Sequence, residues 1–388
     1  MLFCPFSKGC TNLVEGNSVS HTRNFLNFQF SIFNFQFSIR MKRIFAMVAT
    51  ITLCMTIAVA CGEPNNTPTP TPPAPTPDVE EPEVLQPTGR NELVAQEGYP
   101  EGVSLYYFKN FYEDGTDDYC SGYFAIIDRK VNPKLKFNAV YVENDATPSD
   151  IFASFTDGTP ILATNGGYFW DGESLSLLIS GGEVKSIAAQ YVWPTYEGKT
   201  YTACPTRAAF GVHADGSLEA TWVYNCPDAN NATYSFSSPK GNNEKVGVFA
   251  QTPPQSSGGT LWTPKEAIGG GPMILKDGKN VAESNYWKEV LHSGGTGALN
   301  YNPRTIVGYT EDERIVLFVC DGRKSNGSWG YKLPEAADVL KGLGVQWAVN
   351  LDGGGSSVMI GKDGKALNAP SDGTQRRVPT AIVISLQN

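Results

Sequence analysis

Short apolar runs separated by glycine, aspartate and asparagine set the strongest limit on what this chain can fold into. Tyr123-Phe124-Ala125-Ile126-Ile127, Leu135 to Val142 and Ile161-Leu162-Ala163-Thr164 each have the length of a strand and turn-forming residues nearby. Helical signal is sparser. The clearest helix starts near Pro334, where proline suits a first helical position. It carries Ala337, Leu340 and Lys341 and ends by Gly342–Gly344. The pattern predicts a single α+β domain over residues 91–388, with a mostly antiparallel or mixed sheet and few helices.

Two pairs of segments look alike. Arg207-Ala-Ala-Phe-Gly211, with Asp215 after it, matches Arg304-Thr-Ile-Val-Gly308, with Asp312 after it. Each reads as strand, four-residue turn, strand. Met273-Ile274-Leu275-Lys276-Asp277-Gly278-Lys279 matches Met359-Ile360-Gly361-Lys362-Asp363-Gly364-Lys365, and each follows a glycine cluster. Both are hairpins with an Asp-Gly turn. Turn chemistry alone or an old duplication produces such pairs.

The first ninety residues read as an address and a tether. Met41-Lys42-Arg43 is a basic start, Ile44 to Ala60 an uncharged apolar run, and Ala58-Val59-Ala60-Cys61 a set of small residues before a cysteine. This is the build of a bacterial lipoprotein signal over 41–60, with Cys61 as the lipidated residue. A single transmembrane helix is the competing reading, and the run is short for one. Residues 1–40 precede that signal and read as mis-assigned upstream translation. Residues 61–90 are dense in Pro and Thr, which favours an extended, stiff tether. The expected location is the cell envelope, anchored to a bacterial membrane.

Charge and cysteines bound the function further. A formal charge of −9 supplies no basic surplus for nucleic acid. His21, His213 and His292 lie apart from one another and from cysteine, so no metal site is expected, and no cofactor. Export leaves Cys120, Cys204, Cys226 and Cys320 in an oxidising compartment. Cys204 and Cys226 bracket a hairpin and are the expected disulfide, with buried free thiols as the alternative.

Three glycine-bearing segments carry the chemistry. Pairing Tyr309 with Arg314 places Arg304 opposite Val319, so Arg304 and Asp321 are expected on one face. In Val345 to Asp352, alternation sends Val345, Trp347, Val349 and Leu351 one way, and Asn350 and Asp352 the other. Asp352 then meets Gly353-Gly354-Gly355-Ser356-Ser357, whose N–H groups and hydroxyls would cradle an anion. Asn165-Gly166-Gly167 is another glycine turn directly after a strand. Taken singly, each is an ordinary turn. A serine nucleophile is disfavoured, because no nucleophile-elbow motif surrounds Ser356 or Ser357.

Taken in order, Asn165-Gly-Gly-Tyr-Phe, Gly269-Gly-Gly-Pro272, Arg304-Thr305, Asp321-Gly-Arg323, Asn350-Leu-Asp-Gly-Gly-Gly-Ser-Ser357 and Arg376-Arg377-Val378-Pro379-Thr380-Ala381 resemble the phosphodiester glycosidase family. The resemblance runs from about residue 120 onward and is most specific in the block at 350–357. It implies removal of a sugar such as N-acetylglucosamine linked through a phosphodiester, in a pocket containing Asn165, Arg304, Asp321 and Asp352. Gly166, Gly270, Gly271, Arg323, Asn350, Gly353, Gly354, Gly355, Ser356, Ser357 and Arg377 complete the candidate substrate contacts. Arg207 matches no role that the resemblance supplies. Cleavage at the anomeric carbon needs a carboxylate on the sugar side and donors on the phosphate. Asp352 is the expected carboxylate with Asp321 as its partner, their roles exchangeable. Arg304 and the 353–357 backbone are the expected phosphate ligands. The expected partners are a glycan or sugar-phosphate substrate and, through the lipid, a membrane. The competing reading is a non-catalytic glycan-binding lipoprotein using Trp170, Tyr191, Trp193 and Trp287 as sugar platforms.

Overall fold

The structure is a computed structural model that describes residues 91–295 and 297–387. The address, tether and Cys61 lie outside the described residues. Three larger antiparallel sheets and two two-stranded ones make up the described domain. An eight-stranded sheet has Arg304–Thr310 and Ile315–Cys320 at its middle, flanked by Tyr119–Ile127 and Val345–Asn350. A seven-stranded sheet is centred on Leu218–Cys226 and Arg207–Val212. In a four-stranded sheet, Val378–Leu386 lies between Thr159–Asn165 and Leu135–Ala146.

The strand 304–310 and its partner 315–320 are buried along their whole length. Such strands read as continuous apolar runs, because both faces need covering. One face, with Val307, Leu317 and Val319, joins a core shared with Phe210, Trp222, Ile382 and Ile384 from the other two sheets. The opposite face, with Ile306 and Phe318, packs on the helices Ala282–Lys288 and Leu333–Gly342. The second of these is the helix expected near Pro334. It carries Ala337 and Leu340 on its buried side. Among the described residues, no helix is long and apolar enough to cross a membrane.

Both hairpins expected to have four-residue turns hold one more residue. Val212, not His213, pairs with Leu218, and Tyr309 pairs with Ile315, not Arg314. In each turn one residue adopts positive φ, Gly216 at 88° and Glu313 at 64°. A type I turn closed by such a residue adds one position to a hairpin. A one-residue slip moves a side chain to the other face of its sheet. Arg304 therefore lies opposite Cys320, not Val319, and Arg207 lies opposite Val223.

The same slip bears on the cysteines. Cys204 and Cys226 are buried free thiols, so the expected disulfide is absent. They pack with Tyr224 and Phe236 in a small apolar cluster, and the Tyr224 phenol donates to the Gln190 carbonyl at 2.7 Å.

Candidate active site

The strands 159–165, 266–269 and 345–350 deliver their glycine turns to one place. Gly166 accepts from the Asp352 amide at 3.1 Å, and the Gly271 amide donates to the Asn350 carbonyl at 2.8 Å. This close approach needs glycine: a Cβ on Gly270 would stand 2.2 Å from the Asn350 oxygen. Asn165 is fully buried and clasps the junction. Its Nδ2 donates to the Asp352 carbonyl at 2.8 Å, while its Oδ1 accepts from Thr305 Oγ1 at 2.7 Å and from the Val358 amide at 3.2 Å. Asn350 Nδ2 donates to the Gly271 carbonyl and to Tyr168 Oη, each at 2.9 Å. Asn165 and Asn350 therefore build the site from behind.

A cavity of about 270 Å³ opens at this junction. Asp352, Tyr168, Arg207, Gly269 and Gly270 line one part of it, and Leu175, Ala188, Val192 and Trp170 another. Asp352 is the one carboxylate lining it among the described residues, and Arg207 the one cation. Burial raises the Asp352 pKa to about 6, against the Ser356 side chain, the Gly353 amide, Arg376 and Arg323, which pull it down. Its Oδ1 accepts from the Gly353 amide at 2.9 Å. Burial likewise lowers the Arg207 pKa, while Glu289 beside it favours the charged guanidinium. The Arg207 Nη2 donates to the Val290 carbonyl at 3.2 Å, and its buried Nε has no hydrogen-bond partner. Glu289, itself buried, is raised to about 7 by burial. It accepts from the amides of Ala208 and Met273 and from Trp222 Nε1.

Several expected contacts fall elsewhere. Arg304 is 2% exposed, and its guanidinium faces the helix side of the sheet. It donates to the carbonyls of Tyr331, Gly297 and Asn300, at 2.9, 2.8 and 2.7 Å. The one-residue slip put it there, on the opposite face from Asp321. Asp321 is also 2% exposed, and its Oδ1 accepts from Asn368 Nδ2 at 3.0 Å and from the Ala369 amide at 2.9 Å. Burial raises its pKa to about 6, against Asn368, the Ala369 amide and Asn326, which pull it down. Asp321 is not among the residues that line the cavity with Asp352.

Most amides of the anion cradle at 353–357 are spent internally, while the buried Ser357 Oγ has no hydrogen-bond partner. The amides of Gly354, Ser356 and Ser357 donate to the carbonyls of Pro303, Gly353 and Gly354. Arg323 covers the loop from outside: a Cβ on Gly354 would stand 2.8 Å from its Nη2. Arg377 points away and pairs with Asp145 at 3.0 Å. Its neighbour Arg376, singled out only as part of a motif, donates to Ser356 Oγ at 3.2 Å. Arg207 is the residue that sequence reasoning set aside and the cavity brings in. The signal for it was its match to Arg304 in the two similar hairpins.

The geometry can now be set beside known proteins. The model of the phosphodiester glycosidase family matches residues 158–385. The chain is 25% identical, over 238 residues, to the N-acetylglucosamine-1-phosphodiester alpha-N-acetylglucosaminidase of Bos taurus. That match covers 58% of this chain and 36% of the bovine protein, so about a third of the relative's length is spanned. The zebrafish enzyme of the same name, in a structure of its catalytic domain auto-inhibited by its pro-peptide, superposes with a TM-score of 0.50. It is 18% identical, with 76% of this chain and 88% of that one covered, which is a likeness of fold. The glycine turns that meet around Asp352 lie within the matched span, and this chain belongs to the phosphodiester glycosidase family.

Proposed function

We propose that the protein hydrolyses a glycosyl phosphodiester, with Asp352 as the carboxylate and Arg207 as the phosphate ligand. One observation carries the reading: a single small cavity holds both groups, and each has chemistry left to offer. Asp352 retains carboxylate oxygen beyond its bond to Gly353, and Arg207 retains an unpartnered N–H. The relatives named for N-acetylglucosamine-1-phosphodiesters support the same reaction class.

In the reaction, the bond between the anomeric carbon and the phosphate oxygen breaks, and that oxygen leaves with its electron pair on a phosphate monoester. Water supplies the new hydroxyl at the anomeric carbon. Asp352 either takes the proton of the attacking water or first bonds to the carbon and is then hydrolysed free. A phosphate monoester is a good leaving group, with a second ionisation near ~6, so the mechanism does not require a second carboxylate as general acid. Arg207 meets the charge that builds on the departing oxygens. Asp321 shapes the adjoining loop at Asn368 and Ala369 and takes no direct part.

The experiment is sugar release from a panel of sugar-1-phosphodiesters by the purified protein. Release that disappears in Asp352→Asn supports the reading. Retention of near wild-type turnover by that variant overturns it. We further propose that the enzyme works outside the cytoplasm on a lipid anchor at Cys61, a reading supported by the signal-like segment ahead of it.

A further inference from the structure

We infer that the protein carries a second ligand site, away from Asp352, which takes an anionic sugar: a glycan unit bearing one phosphate or carboxylate. The inference stands on a different cavity and does not depend on the reaction proposed above.

The site lies at the far end of the strands that build the first one. A cavity of about 650 Å³ opens beside the turn 213–217, more than twice the volume of the cavity at Asp352. Strand Arg207–Val212 reaches both: Arg207 lines the first cavity and Val212 the second. Strand Glu266–Gly269 does the same, with Gly269 at the first and Glu266 at the second. At about 3.3 Å per residue, a strand the length of 207–212 sets its ends about 17 Å apart. A sugar held in the second cavity is therefore out of reach of Asp352.

The hydrogen bonds of the wall choose the occupant. Its acids are mostly engaged already. Asp215 Oδ1 accepts from the Ser217 amide at 2.9 Å and from Ser217 Oγ at 2.7 Å. Glu266 accepts from the Ala139 amide at 3.0 Å and the Gly181 amide at 2.8 Å. Glu313 pairs with Lys130 at 3.1 Å. Three cations of the wall are not so engaged. Lys136 and Lys265 are exposed and, among the described residues, in no ion pair. Arg129 is half-buried. Its Nη2 donates to the Gly216 carbonyl at 2.7 Å, and its buried Nε has no hydrogen-bond partner. A buried guanidinium N–H without an acceptor is costly, and an anionic oxygen satisfies it. One phosphate or carboxylate would meet that donor and the two lysines together. A long polyanion such as nucleic acid is excluded, because it would also meet the wall's carboxylates. The remaining space suits a sugar. It exceeds what a simple anion fills, and its buried apolar lining is limited to Leu135, Phe137 and Val212. Among the described residues, nothing donates to Asp157 Oδ2 or Gln387 Oε1, so both can accept from hydroxyl groups.

The test titrates the full chain by calorimetry with four probes: trehalose 6-phosphate, cellobiouronic acid, trehalose and inorganic phosphate. At least one charged disaccharide is expected to bind about tenfold more tightly than trehalose or phosphate alone, and the tighter of the two names the anion. Reversing the exposed charges, with Lys136→Glu and Lys265→Glu together, should weaken that binding about tenfold and leave Tm unchanged. Arg129→Ala should weaken it as well, whereas Arg207→Ala should leave it as it is. Added salt should lower the affinity. Binding that is lost with Arg207→Ala and survives the lysine reversal places the ligand at Asp352 and overturns the inference. Equal affinity of the charged disaccharides and trehalose overturns it too, as does equal affinity for inorganic phosphate. No binding of either charged disaccharide up to ~10 mM has the same consequence.

Discussion

Asp352 combines two properties that pull in opposite directions: it is drawn into the protein, and its proposed work requires a charge. Burial raises its pKa to about 6, so the folded state holds the protonated form more readily than the unfolded chain does. The associated stability is fully present below the unfolded value near ~4 and is lost as pH rises through about 6. Turnover runs the other way, rising as the carboxylate ionises. The expected pH–rate profile therefore has an acid limb near pH 6. Asp352→Asn should lower kcat by about 10³-fold, on the order of 4 kcal/mol in barrier. The same variant should melt higher than wild type at pH 8, by about 1 kcal/mol of stability, with the difference vanishing near pH ~4. Steady-state kinetics and thermal melting across pH check both. The two arginines separate in the same assays. Arg207→Ala should reduce kcat/KM with little change in Tm. Arg304→Ala should cost about 2–4 kcal/mol, because it strips a donor from the carbonyls of Tyr331, Gly297 and Asn300. A reversed pattern would return Arg304 to the site.

At the scale of elements, the strands and their faces were legible from alternation and the turns from Gly-Asp-Asn punctuation. Trp347, Val349 and Leu351 share a face as alternation required, whereas Val345 joins the other cluster across an irregularity in its pairing with 304–310. The glycine turns could be read as a site because three strands were seen to end in them. Which arginine serves that site was not legible, since the answer turned on one residue of loop length. A positive-φ residue in a hairpin turn is easy to foresee at Gly216 and hidden at Glu313, where the side chain argues against it. The two hairpins nevertheless repeat one arrangement. Strand 207–212 lies between 218–226 and 266–269, pairing Ala209 with Gly269. Strand 304–310 lies between 315–320 and 345–350, pairing Ile306 with Asn350. Arg207 and Arg304 thus occupy matching positions, and one lines the cavity while the other braces a loop. Glu313→Gly should stabilise the protein by about 0.5–1 kcal/mol, since it relieves a left-handed residue that makes only an exposed ion pair with Lys130. Chemical denaturation at neutral pH measures it. A loss of stability would mean that the Glu313 side chain contributes more than its backbone costs.

For the whole molecule, the proposed anchor makes a separate prediction. Cys61→Ala should leave the protein unprocessed or released from membranes, and palmitate labelling should vanish. Unchanged labelling and membrane partition would rule the anchor out. The four-stranded sheet has a different consequence, in the order of assembly. Val378–Leu386 is the last of the described strands yet pairs along both its edges, with 135–146 and with 159–165. Asn138 and Val383, joined by a hydrogen bond, are 245 positions apart. Such distant pairings close slowly, because a long loop must be ordered before the contact repays it. Two of the described strands must wait, with edges open, for a partner made more than 200 residues later. A nascent chain of this design keeps the four-stranded sheet unfinished until strand 378–386 emerges, so its earlier strands stay open to wrong partners for most of synthesis.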